Sequence, residues 1–296
     1  MSTEPGHPER SAAAKARTAS GASRGPWIIG TVVVVAIVGA LVIAVAVTGG
    51  GKDSTGNAAL VGRAPTSIVS EVTGVPTAVL DEIGGGTAAH LPTPIPASAA
   101  APASPKPTVL YIGAEFCPYC AAERWALVNA LGRFGTFTDL AQTHSSSTDV
   151  FPNTATFSFK RSSYRSDVIT FTPVETASNE PDGQGGYEKL DTPTAEQART
   201  WQALDPNGSI PFIDLGGRYF ISGATVDPGV LANRSLARIA GVLDDPGDRV
   251  ATAVVGAANG MTAAICESTG GKPAAVCNAK AVAALRSTLA SGRTGG

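Results

Sequence analysis

Between residues 108 and 134 the chain reads TVLYIGAEFCPYCAAERWALVNALGRF, and no other stretch constrains its fold as tightly. The run 108–114 is apolar and carries β-branched and aromatic residues, the pattern of a strand buried on both faces. Behind it Pro118 suits the first turn of a helix, and Trp125, Val128 and Leu131, with Leu127 and Phe134, recur at helical spacing. Cys117 therefore stands at a strand-to-helix junction, where the helix dipole and unpaired backbone N–H groups lower a thiol pKa and raise its thiolate fraction. Cys120 lies one turn further in and is expected to be the more buried thiol.

Such a pair could be a metal clip, a permanently closed disulfide or a redox couple. Zinc would need two more ligands. Of the four cysteines, Cys266 and Cys277 have ten residues between them, against roughly two to four in a zinc site. His90 and His144 are isolated and His7 belongs to the N-terminal tail, so no metal is expected. The staple and the redox couple both stay open.

The segment WIIGTVVVVAIVGALVIAVAV, residues 27–47, is 21 uncharged apolar residues, long enough to cross a bilayer as a helix. Arg10, Lys15, Arg17 and Arg24 precede it, and only Lys52 and Arg63 follow closely. By the positive-inside rule the N-terminus stays cytoplasmic and everything beyond residue 48 is extracytoplasmic, on a single-pass anchor in the cell membrane. The rival is a cleaved signal peptide, for which Ala44-Val45-Ala46 supplies the small residues. Either way the cysteines are exported. With 22 basic and 24 acidic side chains and no basic stripe, the chain lacks the footprint of nucleic-acid binding. Four cysteines suit an oxidising compartment but are too few to build a disulfide scaffold.

Composition divides the chain into a disordered cytoplasmic tail (1–26), the transmembrane helix (27–47), a linker (48–64) and an extracytoplasmic domain (65–296). The domain opens with SIVSEVTGVPTAVLDEI (67–83), a short strand or helix, followed by a Pro/Ala-rich loop over 84–107. An insertion at about 145–205 holds TATFSF (154–159) and VITFTPVE (168–175), expected to pair with each other, and a capped helix in TPTAEQARTWQAL (192–204). Residues 205–224 read as two strands joined by Gly216-Gly217 as a two-residue turn, with Pro211 at the start of the first. The segment 227–243 reads as one helix capped by Asp227, and 247–290 as a helical extension. Cys266 and Cys277 flank ESTGGKPAAV, a loop between two Ala-rich helical segments, which suits a structural disulfide; an electron shuttle from Cys120 is the alternative.

This order resembles the thioredoxin fold. AEFCPYC is similar to the active-site segment of thioredoxins and periplasmic disulfide oxidoreductases, and SIPFIDLGGRYFISGA to the cis-proline loop and hairpin of that superfamily. More closely, YIGAEFCPYCAAERWALVNAL, IPFIDLGGRYFISGA and AANGMTAAICESTGGKPAAVC resemble an exported thioredoxin-like family known as domain of unknown function 929, over roughly Pro65 to Cys277. The resemblance implies an α/β, thioredoxin-like fold with an insertion between the Cys-x-x-Cys helix and the cis-proline hairpin, preceded by one transmembrane helix. It also implies that Cys117 attacks, Cys120 resolves, and a cis Ile210–Pro211 bond exposes backbone on which an extended substrate pairs.

The expected function is a membrane-anchored extracytoplasmic thiol-disulfide oxidoreductase that needs no cofactor. Its partners would be exported cysteine-containing proteins and a membrane redox partner that recycles the pair. The alternative is a non-catalytic thioredoxin-like binding module whose cysteines form a staple. Tyr119 would offer substrates an aromatic face or be a merely exposed ring. Glu115 would tune the thiols or relay a proton, or be a solvated strand-end carboxylate. Arg124 reads as helix surface and Trp125 as core.

Overall fold

The strand expected after residue 107 forms over Thr108–Gly113, and every residue in it beyond Thr108 is buried. It runs through the middle of the domain. The computed structural model describes residues 62–100 and 104–293, all within the unit Ser54–Gly296. The expected cytoplasmic tail, the apolar span 27–47 and residues 48–61 of the expected linker lie outside the described residues.

In chain order the strands are β1 (Gly62–Arg63), β2 (Thr93–Pro94), β3 (Thr108–Gly113), β4 (Thr136–Thr138), β5 (Ala141–His144), β6 (Ala155–Ser158), β7 (Ser163–Arg165), β8 (Thr170–Glu175), β9 (Ala177–Pro181), β10 (Tyr187–Lys189), β11 (Phe212–Leu215) and β12 (Tyr219–Ser222). The helices are α1 (Thr66–Thr73), α2 (Thr77–Ile83), α3 (Pro118–Gly132), α4 (Ala195–Leu204), α5 (Leu236–Ala240), α6 (Arg249–Ser268), α7 (Ala274–Cys277) and α8 (Lys280–Arg293). The architecture is mixed α/β. Its central sheet has the order β2-β12-β11-β3-β8, with β8 parallel to β3 and the other pairs antiparallel. Alternation splits the sheet's side chains between two cores. Val109, Tyr111, Ile213, Leu215 and Ile221 join the large core with α3 and α6, whereas Leu110, Ile112, Val174 and Phe212 meet Trp201 and Leu204 of α4.

Several expectations need correction. The segments 154–159 and 168–175 do not pair with each other: β6 pairs with β5, and β8 runs alongside β3 from Thr108↔Thr170 to Gly113↔Glu175. A parallel partner needs a long crossover, and α3 with the small strands β4 to β7 supplies it. Part of the expected insertion is thus central sheet. The β11–β12 connection is three residues, 216–218, because Leu215 pairs with Tyr219; Gly216 and Gly217 both take positive φ there. The single helix expected over 227–243 is broken. Asp227 caps a short 3-10 turn, Asn233 adopts φ 61°, and Ser235 caps α5 afresh. The opening segment makes two helices separated at Pro76, and the Pro/Ala-rich loop lends β2 to the sheet edge.

The expected helical segment 247–290 forms α6, α7 and α8, and α6 is core. Among the described residues α6 is the one helix long and apolar enough to cross a membrane, yet 89% of that stretch is buried, packed between α3 and α8. Its small residues allow close approach: a Cβ on Gly256 would sit 2.5 Å from the Gly85 carbonyl oxygen. A disulfide joins Cys266 near the end of α6 to Cys277 at the end of α7, with Cα atoms 5.5 Å apart.

Candidate functional site

Cys117 is the N-cap of α3. Its extended backbone (φ −75°, ψ 120°) turns the chain from β3 into the helix, Pro118 fills the first helical position, and the Cys120 N–H donates to Cys117 Sγ at 3.3 Å. Both cysteines are free thiols and both are buried, Cys117 at 6% exposure and Cys120 at 0%. Their protonation is divided accordingly. The Cys120 thiol donates to Cys117 and, against the cost of burial, lowers its pKa to about 7, helped by the Cys120 and Tyr119 N–H groups and by Arg124. Burial, then its own role as donor, pushes the Cys120 thiol well up. One sulfur is prepared as thiolate and its neighbour as thiol.

Helix α3 is not the one-sided helix that its spacing suggested. From Cys120 to Leu131 every residue is buried, including Glu123 and Arg124, because the helix lies between the central sheet's large core, α6, α1 and β6. Arg124 is therefore corrected from surface to interior. Its Nε and Nη2 donate to the two oxygens of Glu175 on β8 at 2.9 and 2.8 Å, and Nη2 also donates to the Ala114 carbonyl at 2.8 Å. That same carbonyl accepts the Cys117 N–H at 3.4 Å. The guanidinium lies 5.8 Å from the centroid of the Tyr111 ring. Trp125 is core, as expected, and donates to the Ala155 carbonyl.

Glu123 points the other way along the helix. Its carboxylate accepts the Thr225 N–H at 2.7 Å, the Thr225 hydroxyl at 2.8 Å and the Val226 N–H at 3.3 Å. Just before that segment the Gly223 N–H donates to the Pro211 carbonyl at 2.9 Å. Glu123 thus ties α3 to the segment after β12, which in turn bonds to Pro211 through Gly223. The Ile210–Pro211 bond is cis, and the register Phe212↔Ile112 puts Pro211 at the end of the sheet from which β3 leads to Cys117. Ile210 is half-buried and Pro211 buried. The turn before them is fixed by Asp205, which accepts from the N–H groups of Asn207 and Ser209 and the Ser222 hydroxyl, and by Trp201, whose Nε1 donates to the Ser209 carbonyl.

Tyr119 is 44% exposed and meets Phe151 edge-on at 6.4 Å; Val150 beside it is 57% exposed. Glu115 is half-buried rather than freely solvated. Burial raises its carboxyl pKa, and it accepts from the Ser158 hydroxyl while lining a polar cleft of about 590 Å³ with Arg63, Lys160 and Asn179. Neither cysteine lines that cleft. Phe116, between Glu115 and Cys117, stacks on Tyr187 at 4.3 Å. Among the described residues no group of three or more His, Cys, Asp or Glu side chains converges as metal ligands would. The Cys266–Cys277 bridge belongs to the helical side of the core and takes no part in this constellation.

Residues 98–181 match the model of a domain of unknown function, DUF929. The matched span runs from before β3 through both cysteines and α3 to the end of β9; the Pro211 hairpin and the disulfide lie beyond it. No curated protein and no solved structure matches the chain.

The buried charges around the cysteines that sequence reasoning missed are Glu123, Arg124 and Glu175. The available signal was the charged pair Glu123-Arg124 in the middle of an otherwise apolar helix, since charges are rarely placed in a buried helix without partners.

Proposed function

We propose that the protein is a thiol-disulfide oxidoreductase acting on protein cysteines through Cys117-Pro118-Tyr119-Cys120. The observation that carries this is the division of labour between the sulfurs. Cys117, capping α3 and accepting from Cys120, is the thiolate-forming group, and buried Cys120 keeps its proton. In the reductive direction Cys117 attacks a substrate disulfide and forms a mixed disulfide, which Cys120 resolves; oxidation is the reverse. A thioredoxin-like fold is supported by the strand–cysteine–helix unit on a mixed sheet and by the Ile210–Pro211 segment at the same sheet end. In that fold the Ile210 backbone would pair with an extended substrate segment, and Tyr119 would contact its side chains.

We place the domain outside the cell membrane on the 27–47 anchor, with exported cysteine-containing proteins as substrates and a membrane redox partner recycling the pair. The support is the length of the apolar segment and the basic residues preceding it. The test is trapping. A Cys120→Ser chain expressed in its own compartment should accumulate mixed disulfides through Cys117, visible on non-reducing gels and lost in Cys117→Ser/Cys120→Ser. If no adducts form, and Cys117 is alkylated no faster than free cysteine, the protein is no oxidoreductase.

A further inference from the structure

The interior beneath the cysteines holds a buried ion pair, the Arg124 guanidinium on the Glu175 carboxylate. Arg124 lies one turn beyond Cys120 and two beyond Cys117 on the same helix, with no exposed surface. Three hydrogen bonds to Glu175 and Ala114 fix its guanidinium, and the shared Ala114 carbonyl joins it directly to the Cys117 backbone. Nη1 hydrogen-bonds to no other described residue. The remaining ionisable groups nearby are poor competitors for this field. Tyr111 is fully buried and stays neutral, Glu115 accepts from the Ser158 hydroxyl, and Glu175 is spent on the guanidinium fork and the Phe159 N–H. Lys160, further out, is paired with Asp191.

We infer that Arg124 is a positioning residue for the reduced pair: clamped by Glu175 and Ala114, it stabilises the Cys117 thiolate and thereby poises the Cys117/Cys120 couple as an oxidant of substrate dithiols. This deepens, and rests on, the oxidoreductase reading. The chemistry balances over two electrons. A substrate thiolate attacks Cys117 Sγ, the Cys117–Cys120 bond breaks, and its electron pair leaves on Cys120, which takes up a proton. The second substrate thiolate then attacks the substrate sulfur of the mixed disulfide. A substrate disulfide forms, and Cys117 departs as thiolate. Overall, two thiols and one protein disulfide give a substrate disulfide, the Cys117 thiolate, the Cys120 thiol and one proton released to water. A thiolate that is stabilised leaves faster and makes the reduced state more stable, and both effects favour oxidation of the substrate.

The test uses the full-length chain purified in detergent. Removing Arg124 alone would strand the Glu175 charge, so both are replaced by near-isosteric neutral residues, Arg124→Met with Glu175→Gln. Two quantities are read: the Cys117 thiolate titration by ultraviolet absorbance, and the equilibrium constant with the glutathione couple. The double variant is expected to need at least a tenfold lower proton concentration to form the thiolate. Its equilibrium should shift at least tenfold toward the disulfide form, about 30 mV for two electrons. A folded double variant in which both quantities match the wild type overturns the inference. Should the variant not fold, the wild-type chain and a second double variant decide. An equilibrium constant as reducing as thioredoxin's, or a Cys117 that titrates like free cysteine, refutes an oxidising role for Arg124, and an Arg124→Gln/Glu175→Gln chain that folds and titrates tenfold less readily upholds it. If Cys120→Ser forms mixed disulfides while these tests fail, only the Arg124 inference falls; absence of adducts removes the oxidoreductase reading itself.

Discussion

Replacing Glu123 with Gln isolates the contact that fixes the Cys-x-x-Cys helix against the segment after the Pro211 hairpin. The carboxyl has no exposed surface, and burial raises its pKa from 4.5 to about 7 although the Thr225 hydroxyl and the Thr225 and Val226 N–H groups all favour the anion. The folded pKa is above the unfolded one, so between about pH 4.5 and 7 the folded state binds more protons than the unfolded state, and stability falls as pH rises through that window. Gln keeps an acceptor for the N–H groups and offers an amide to the Thr225 hydroxyl, but it does not titrate. Integrating the linkage from pH 5 to pH 8, the wild type should lose about 2 to 3 kcal/mol relative to Glu123→Gln. At roughly 2–4 °C per kcal/mol for a domain of this size, that is a change of about 4–12 °C in the melting-temperature difference. Urea unfolding of both proteins across this pH range measures it, and any constant offset from the altered hydrogen bonds cancels in the comparison. A stability difference that stays flat from pH 5 to 8 would refute the reasoning, because the carboxylate would then be ionised in the fold throughout.

Two further outcomes are expected. Cys266→Ser/Cys277→Ser opens a ring closed across a sequence separation of 11 and should cost up to about 3 kcal/mol, while glutathione exchange at Cys117 is unchanged at a temperature where the domain stays folded; lost exchange with unaltered melting would make the bridge an electron shuttle. A reporter active only in the cytoplasm, fused after Gly296, should stay silent in cells, and activity there would invert the membrane orientation inferred from the charges around residues 27–47.

What the sequence made legible was local. The apolar run before Cys117, Pro118 at the first helical position and the capped helix in 192–204 are decided by neighbours a few residues apart, and each element forms within three residues of its expected bounds. Strand partnership was not legible in the same way. The segment 168–175 offers β-formers to any edge, and its place beside β3 depends on the whole crossover through α3. The burial of α3 was hidden for a similar reason: one wall is α6, whose first residue follows Gly132 by more than a hundred positions, and another is the strand β6.

Charge is where these two scales meet. An isolated helix carrying Glu123-Arg124 would turn both residues to water, since an unpaired buried charge costs several kcal/mol. Their burial is sustained by partners 51 and 102 positions away, Glu175 for Arg124 and Thr225 for Glu123. One of those partners stands on the strand beside β3 and the other in the loop after the Pro211 hairpin, on opposite flanks of the cysteine pair. Two polar side chains in the middle of an apolar helix therefore hold together the three parts of the candidate site. The β3–β11 register sets Pro211 at the cysteine end of the sheet, and these two side chains tie the helix between them to both flanks.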